Sequence, residues 1–198
     1  MSDHQPVAAP FSFPGPSLAL RPFEPGEVDA LYEYLNHPDL AGRRYIPGEF
    51  SDLLPLSHLQ AQEIYQKWVE GKEEITLAVE LRQSQQVIGH ASLELGWDQH
   101  NPSITLVIAP VHQRQGYGSA TLNLLLRYLF GHTTAHVVTA CVADWNIAGR
   151  QFLKKNGFQE AGRMRRMGIR QGKYFDLVIH DQLRSDWMQR SGGGAHGA

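Results

Sequence analysis

Gln113-Arg114-Gln115-Gly116-Tyr117-Gly118 follows an apolar run that ends at Ala109-Pro110, and a second apolar run begins just after it. A strand that turns through two glycines into a helix leaves several backbone N–H groups without helical partners. The helix dipole adds partial positive charge at the same point. Glycine has no Cβ, so an anion can approach those amides closely. The chemistry that suits this spacing is phosphate or pyrophosphate binding. Two common phosphate signatures do not match. The pattern G-x-x-x-x-G-K-[ST] needs a lysine that is missing here, and G-x-G-x-x-G needs glycine where Thr121 stands. The reading without a ligand is a turn softened by glycine.

Other chemistry-bearing residues are fewer. Asn146 stands where a helix would begin, and an asparagine there either caps that helix or reaches a ligand. His132 and His136 straddle a loop-to-strand passage and do not share a helix as H-E-x-x-H does, so no metal site is expected. Arg163, Arg165, Arg166 and Arg170 gather in one segment, either as a solvated strand face or as a contact for an acidic substrate.

The elements that must position these residues follow from periodicity. Residues 17–21 alternate as a short strand. Pro25 opens a helix whose buried face carries Val28, Leu31, Tyr32 and Leu35. Residues 38–55 form a long loop, and Ser57 caps a second helix that runs to Gly71. Residues 75–81, 86–95 and 103–109 are strands on short connections, hence antiparallel. A leucine-rich helix over 116–130, a strand over 137–142 and a helix over 146–155 come next. Residues 158–167 and 174–180 close the chain as a hairpin around Gln171-Gly172. The predicted order is β-α-α-β-β-β-α-β-α-β-β. Residues 1–16 are a proline-rich arm expected to be flexible, 17–190 the folded domain, and 191–198 a glycine-rich disordered tail.

Composition narrows the function classes. The chain has 198 residues, 42% hydrophobic and 19% charged, the balance of one globular domain. Eighteen basic and twenty acidic side chains argue against broad docking on nucleic acid or anionic membrane. Cys141 is the single cysteine, which excludes an internal disulfide and a multi-cysteine zinc site. No run approaches the ~20 apolar residues of a membrane helix, and a cytoplasmic location is expected.

The segment 113–118 resembles the (Arg/Gln)-x-x-Gly-x-(Gly/Ala) signature of the GNAT superfamily of acetyl-CoA-dependent N-acetyltransferases. Asn146 through Phe158 resembles that family's Asn-x-x-(Ser/Ala)…Gly-Phe segment. Tyr174-Phe175-Asp176 with Asp186-Trp187 resembles the C-terminal hairpin of the branch that acetylates ribosomal-protein N-termini. The resemblance implies an α/β fold with a mixed, mostly antiparallel sheet, helices on both faces, and one parallel strand pair that splays apart. It implies that Leu106, Val107 and Ile108 pair with the pantetheine of acetyl-CoA, the co-substrate. The amides of Gln113, Arg114, Gln115, Gly116, Tyr117, Gly118 and Ser119 would hold its pyrophosphate, while Asn146 and Phe152 flank its arm. The reaction implied is direct attack by a primary amine, from a peptide N-terminus or a small molecule, without a metal and without a side-chain nucleophile.

The Ile108 N–H is the expected donor to the developing oxyanion. Ser103 stands where many relatives place a glutamate base, so Glu94 on the preceding strand, or Asp98 and His100 in the connecting turn, would serve directly or through water. Leu153 and Gly149 stand where relatives carry a tyrosine or serine proton donor. An acyl-CoA-binding sensor or scaffold with weak catalysis is therefore the alternative. A monomer or homodimer is expected.

Overall fold

Runs rich in β-branched residues, joined by short turns, force antiparallel neighbours. A parallel pair needs a helix-length crossover, and the chain supplies one. A computed structural model describes residues 13–40, 55–71, 74–95 and 98–192. The arm before residue 13, residues 41–54 of the long loop with Arg43, Arg44, Tyr45 and Glu49, and residues 193–198 lie outside the described residues. The strands are β1 Phe13–Pro14, β2 Leu18–Pro22, β3 Ile75–Leu81, β4 Gln86–Glu94, β5 Ser103–Ile108, β6 Val137–Ala143, β7 Gln159–Arg170 and β8 Lys173–Leu183. They form an eight-stranded sheet in the order β1-β2-β3-β4-β5-β6-β8-β7. Its one parallel pair is β5–β6; the others are antiparallel.

The helices are α1 Val28–Leu35, α2 His58–Glu70, α3 Tyr117–His132, α4 Ile147–Lys155 and α5 Arg184–Gly192. On one face of the sheet Leu122, Leu125, Leu126 and Leu129 of α3 bury against Leu20, Val79, Ile88, Ile104 and Ile108. Each such leucine contributes about 1.5–3 kcal/mol of transfer free energy. On the other face, Leu31 and Leu35 of α1 and Ile64 and Trp68 of α2 pack on Ala78 and Val107. Arg21 on β2 ties α1 to this face, with Nε on Glu80 at 2.8 Å and Nη2 on Glu27 at 2.6 Å. A capping box starts α2: Ser57 Oγ accepts from Gln60 N, and Gln60 Oε1 accepts from Ser57 N.

Several local expectations are revised. Helix α1 begins at Val28, and Tyr34 turns inward where Tyr32 was expected, while Tyr32 stacks on His58 at 3.7 Å. Phe13 and Pro14, placed in the arm by sequence, pair with Leu20 and Ala19. Phe13 also packs on Tyr128 with ring centroids 4.3 Å apart. Helix α5 follows the hairpin, with Asp186 and Trp187, likened by resemblance to a hairpin, on the helix; the Trp187 ring lies 5.7 Å from that of Phe130. Among the described residues, no helix is long and apolar enough to cross a membrane.

Candidate active site

The sheet parts between β5 and β6. Their ladder has one paired position, Ser103 opposite Thr139. Thr139 N–H donates to the Pro102 carbonyl at 3.0 Å, and His136 N–H to the His100 carbonyl at 2.9 Å, so the strands are pinned at one end. Past that point they diverge. The side of β5 that faces the gap follows from strand alternation. Ala109 N–H donates to Ile88 O on β4 at 2.7 Å, so the backbone groups of Leu106 and Ile108 point toward β6. The Ile108 carbonyl on that side is met by Gln113 Nε2 at 2.8 Å.

The gap opens into a cleft of about 660 Å³. Its lining includes every cofactor residue expected from sequence except Gln115 and Tyr117. Gln115 instead braces its own loop, donating from Nε2 to Val111 O at 3.0 Å. The Tyr117 ring packs beside the α3 core and 6.4 Å from His112. Gly116 caps α3 with φ 88° and without any side-chain cap hydrogen bond. Arg114 also has a positive φ, 62°. The first amides of α3 therefore face the cleft unmasked by a side chain, as an anion cradle requires. The cleft's shape and this uncapped terminus fit a pyrophosphate-bearing ligand with an extended arm.

Helix α4 forms the opposite wall. Asn146 caps it, with Oδ1 accepting from Gly149 N at 3.1 Å, while the rest of the residue lines the cleft. A Cβ at Gly149 would lie 2.8 Å from Asn146 Nδ2, so the cap itself occupies the space a serine there would need. Leu153 turns into the apolar core and cannot present a proton donor to the cleft. Ala148, Gln151 and Lys155 join Phe152 on the wall, although the sequence reading missed them. Their i, i+3, i+4, i+7 spacing was a visible signal. Leu40, a further lining residue, sits in a 3-10 turn and carried none.

The sheet face toward α1 and α2 carries a second set of groups. Pairing and alternation align Glu94 with Ser103, Thr139 and Asp181, then Ser92 with Thr105, and His90 with Val107. Glu94 and Ile108, both expected at the reacting centre, are not brought together. They lie at opposite ends of β5, separated by five residues, or roughly 17 Å at ~3.3 Å per residue. Cys141 faces the same side; burial first, and the Glu94 carboxylate second, push its thiol pKa up. A protonated thiol agrees with a strand residue and not with a nucleophile. His90 is fully buried, its Nδ1 2.8 Å from Tyr34 Oη and its ring 4.4 Å from Trp68. Burial pulls its pKa down to about 3, so the imidazole is neutral. Among the described residues, no cluster of three or more His, Cys, Asp or Glu side chains is placed to hold a metal.

This parted parallel pair beside a glycine-started helix defines the fold class of acyl-CoA N-acyltransferases. The family model described as acetyltransferase (GNAT) domain matches residues 17–159, and the chain belongs to that family. GNAT acetyltransferases use acetyl-CoA, and the chain is an acyltransferase of this kind. An uncharacterized N-acetyltransferase of Bacillus subtilis, YnaD, is 25% identical over 171 residues, covering 86% of this chain and 95% of that protein. The spermidine N(1)-acetyltransferase of Vibrio cholerae is 26% identical over 176 residues, covering 88% and 97%. In three dimensions a GNAT acetyltransferase from Bacillus anthracis matches with TM-score 0.76 at 20% identity, over 88% of this chain and 99% of that one. The Vibrio cholerae spermidine N-acetyltransferase in complex with CoA and spermine matches with TM-score 0.72 at 23% identity, over 88% and 99%. The acceptor named among these relatives is spermidine, and none of them belongs by name to the ribosomal-protein branch that the hairpin residues suggested.

Proposed function

We propose that the protein transfers the acetyl group of acetyl-CoA to a primary amine at the β5–β6 gap, by direct attack and without a covalent enzyme intermediate. The observation that carries this reading is the outward-facing backbone of Leu106 and Ile108 above the uncapped start of α3. When bound, acetyl-CoA supplies an electrophilic thioester carbonyl. Leu106, Val107 and Ile108 offer a strand edge to the pantetheine, as an added strand pairs with a sheet. The amides from Arg114 to Ser119 hold the pyrophosphate, the expected Gln113 N–H being already given to Pro110 O at 3.1 Å, with Asn146 and Phe152 along the arm. Ile108 N–H points at the side where negative charge would develop on the carbonyl oxygen.

The relatives' acceptors support a small amine, and the Tyr174-Phe175-Asp176 hairpin supports a peptide α-amine as the other substrate to try. Glu94 stands too far along β5 to remove the amine's proton directly. This favours an amine that is partly neutral without help; an α-amine of pKa ~8 is free base about a tenth of the time at pH 7. The test is a panel of primary amines assayed by release of the CoA thiol. Amine-dependent release is expected. Saturable acetyl-CoA binding with no amine-dependent thiol would overturn the enzyme reading and leave the acyl-CoA sensor in its place.

A further inference from the structure

The β7–β8 hairpin runs past the end of β6, on the side where β5 and β6 have diverged. Phe175 pairs with Gly168 and Lys173 with Arg170, beyond the last β6 pair at Ala143 and Leu177. Alternation along β8 places Phe175, Lys173 and Arg170 on the face that carries Leu177 and Ala143, the sheet face toward α1 and α2, hereafter the acceptor face. The Arg170 guanidinium lies over the Trp145 ring, 3.9 Å from its centroid, and Trp145 meets Phe175 edge-on at 6.3 Å. Trp145 directly precedes Asn146, a lining residue of the cleft. A half-buried cation is thus held on the residue that leads into the α4 wall of the proposed acetyl-transfer site, outside the cleft lining itself.

The backbone fixes that position. Arg165, Arg166 and Met167 stand opposite Asp176 alone, a β-bulge in which Arg166 takes φ 52°. Asp176 Oδ1 accepts from Arg166 N at 2.9 Å and locks the bulge. Bulges of this kind re-aim side chains beside sites.

Charge pairing sets Arg170 apart from Arg21, Arg150 and Arg163. Arg21 binds Glu27 and Glu80, Arg150 binds Glu160, and Arg163 binds Glu160 and Asp176. Arg170 has no carboxylate at ion-pair distance among the described residues, nor have Arg165, Arg166 and Lys173 nearby. Two carboxylates stand close by: Asp144 next to Trp145, and Asp176, which Arg163 and the Arg166 N–H already engage. Glu94 and Asp181 share the acceptor face but stand at the pinned end, roughly 13 Å along the strand from Val107. A guanidinium stacked by its face keeps its N–H edge outward, in the planar fork that matches a carboxylate or phosphate.

We propose that Arg170, stacked on Trp145, selects an acceptor amine that carries an anionic group, and that this chain disfavours the polyamines used by its spermidine-acetylating relatives. The inference rests on acetyl transfer at this cleft and names the substrate class for it. Carboxylate and phosphate share the chemistry, and the panel separates them.

The experiment compares ω-amino acids of three to six carbons with the matching alkylamines, O-phosphoethanolamine with ethanolamine, and spermidine, on the full chain. The anionic amines are expected to show KM values at least about 10-fold below their neutral counterparts and below spermidine. Arg170→Gln should raise that KM about 10-fold, and Arg170→Lys should restore part of it, since lysine keeps the charge but not the fork. The change should fall on the ratio of anionic-amine to neutral-amine kcat/KM, which should drop about 10-fold in Arg170→Gln. Spermidine as the best acceptor, or a panel unmoved by Arg170→Gln, would overturn the proposal. So would a loss of CoA affinity in that variant, which would assign the guanidinium to the cofactor. If no amine releases thiol, the transfer reading fails separately. Calorimetry of the same amines on CoA-saturated protein then decides: stronger binding of the anionic members that Arg170→Gln abolishes supports the proposal, and equal binding refutes it.

Discussion

The cleft is approached from two sides that are built differently. On the side of α3 and α4 it is made of backbone: the outward groups of Leu106 and Ile108, the uncapped start of α3 at Gly116, and the small residues Ala148 and Gly149. The sheet face toward α1, α2 and the hairpin instead carries side chains brought together by register: the buried His90 with Tyr34 and Trp68, the Ser103–Thr139 row with Glu94 and Asp181, and Arg170 on Trp145. A backbone site can bind the invariant part of a ligand whatever the side chains become. A side-chain site can be re-specified by single substitutions. In the proposed function, cofactor binding belongs to the first approach and acceptor choice to the second.

The sharpest break in that division comes from Gly116→Val. A side chain would have open space there, but φ 88° is a conformation that a β-branched residue resists. Relaxation of the loop should misdirect the amides and raise the CoA dissociation constant by roughly 10- to 100-fold, at a cost of about 1–3 kcal/mol in stability. Titration calorimetry reads the first and thermal unfolding the second, and an unchanged CoA affinity would show that the amides do not form the cradle.

A smaller effect tests the other approach. His90 has a pKa near 3 when folded against 6.5 when exposed, so on acidification the unfolded chain takes up the proton first. Its contribution to stability is complete above pH 6.5 and declines as pH falls toward 3. Between about pH 6 and 4 the loss is about 1.4 kcal/mol per pH unit. The paired variant Tyr34→Phe/His90→Phe removes both hydrogen-bonding groups and should lack that increment in denaturant titrations across this range. An equal slope in both proteins would mean that His90 is accessible to protons in the fold.

The backbone side was the more legible one in sequence. Two glycines after an apolar strand announce an uncapped helix start, and alternation with 3.6-residue periodicity located nearly every strand and helix around it. The side-chain side depends on pairings that no local pattern encodes. Glu94 was close to the cleft by chain position, yet its register with Ser103 sets it at the far end of β5. Arg170 was visible only as a member of a basic cluster; its contact with Trp145 exists because the β7 bulge and the Phe175 pairing aim it there. Phe13–Pro14 is too short to show alternation, and residues 184–192 have too few apolar positions to announce α5. Gln115 and Tyr117 were taken with their loop as a unit, whereas their side chains turn away from the cleft to brace and to pack.

The central claim is that the edge of β5 facing β6 is open until acetyl-CoA pairs with it. Residue-resolved amide hydrogen exchange, with and without acetyl-CoA, tests this directly. In the free protein Val107 and Ala109, bonded to β4, should be protected while Leu106 and Ile108 exchange quickly; the ligand should slow Leu106 and Ile108 and leave the other pair unchanged. Protection of Leu106 and Ile108 before any ligand is added, or no slowing when the protein is saturated, would contradict it.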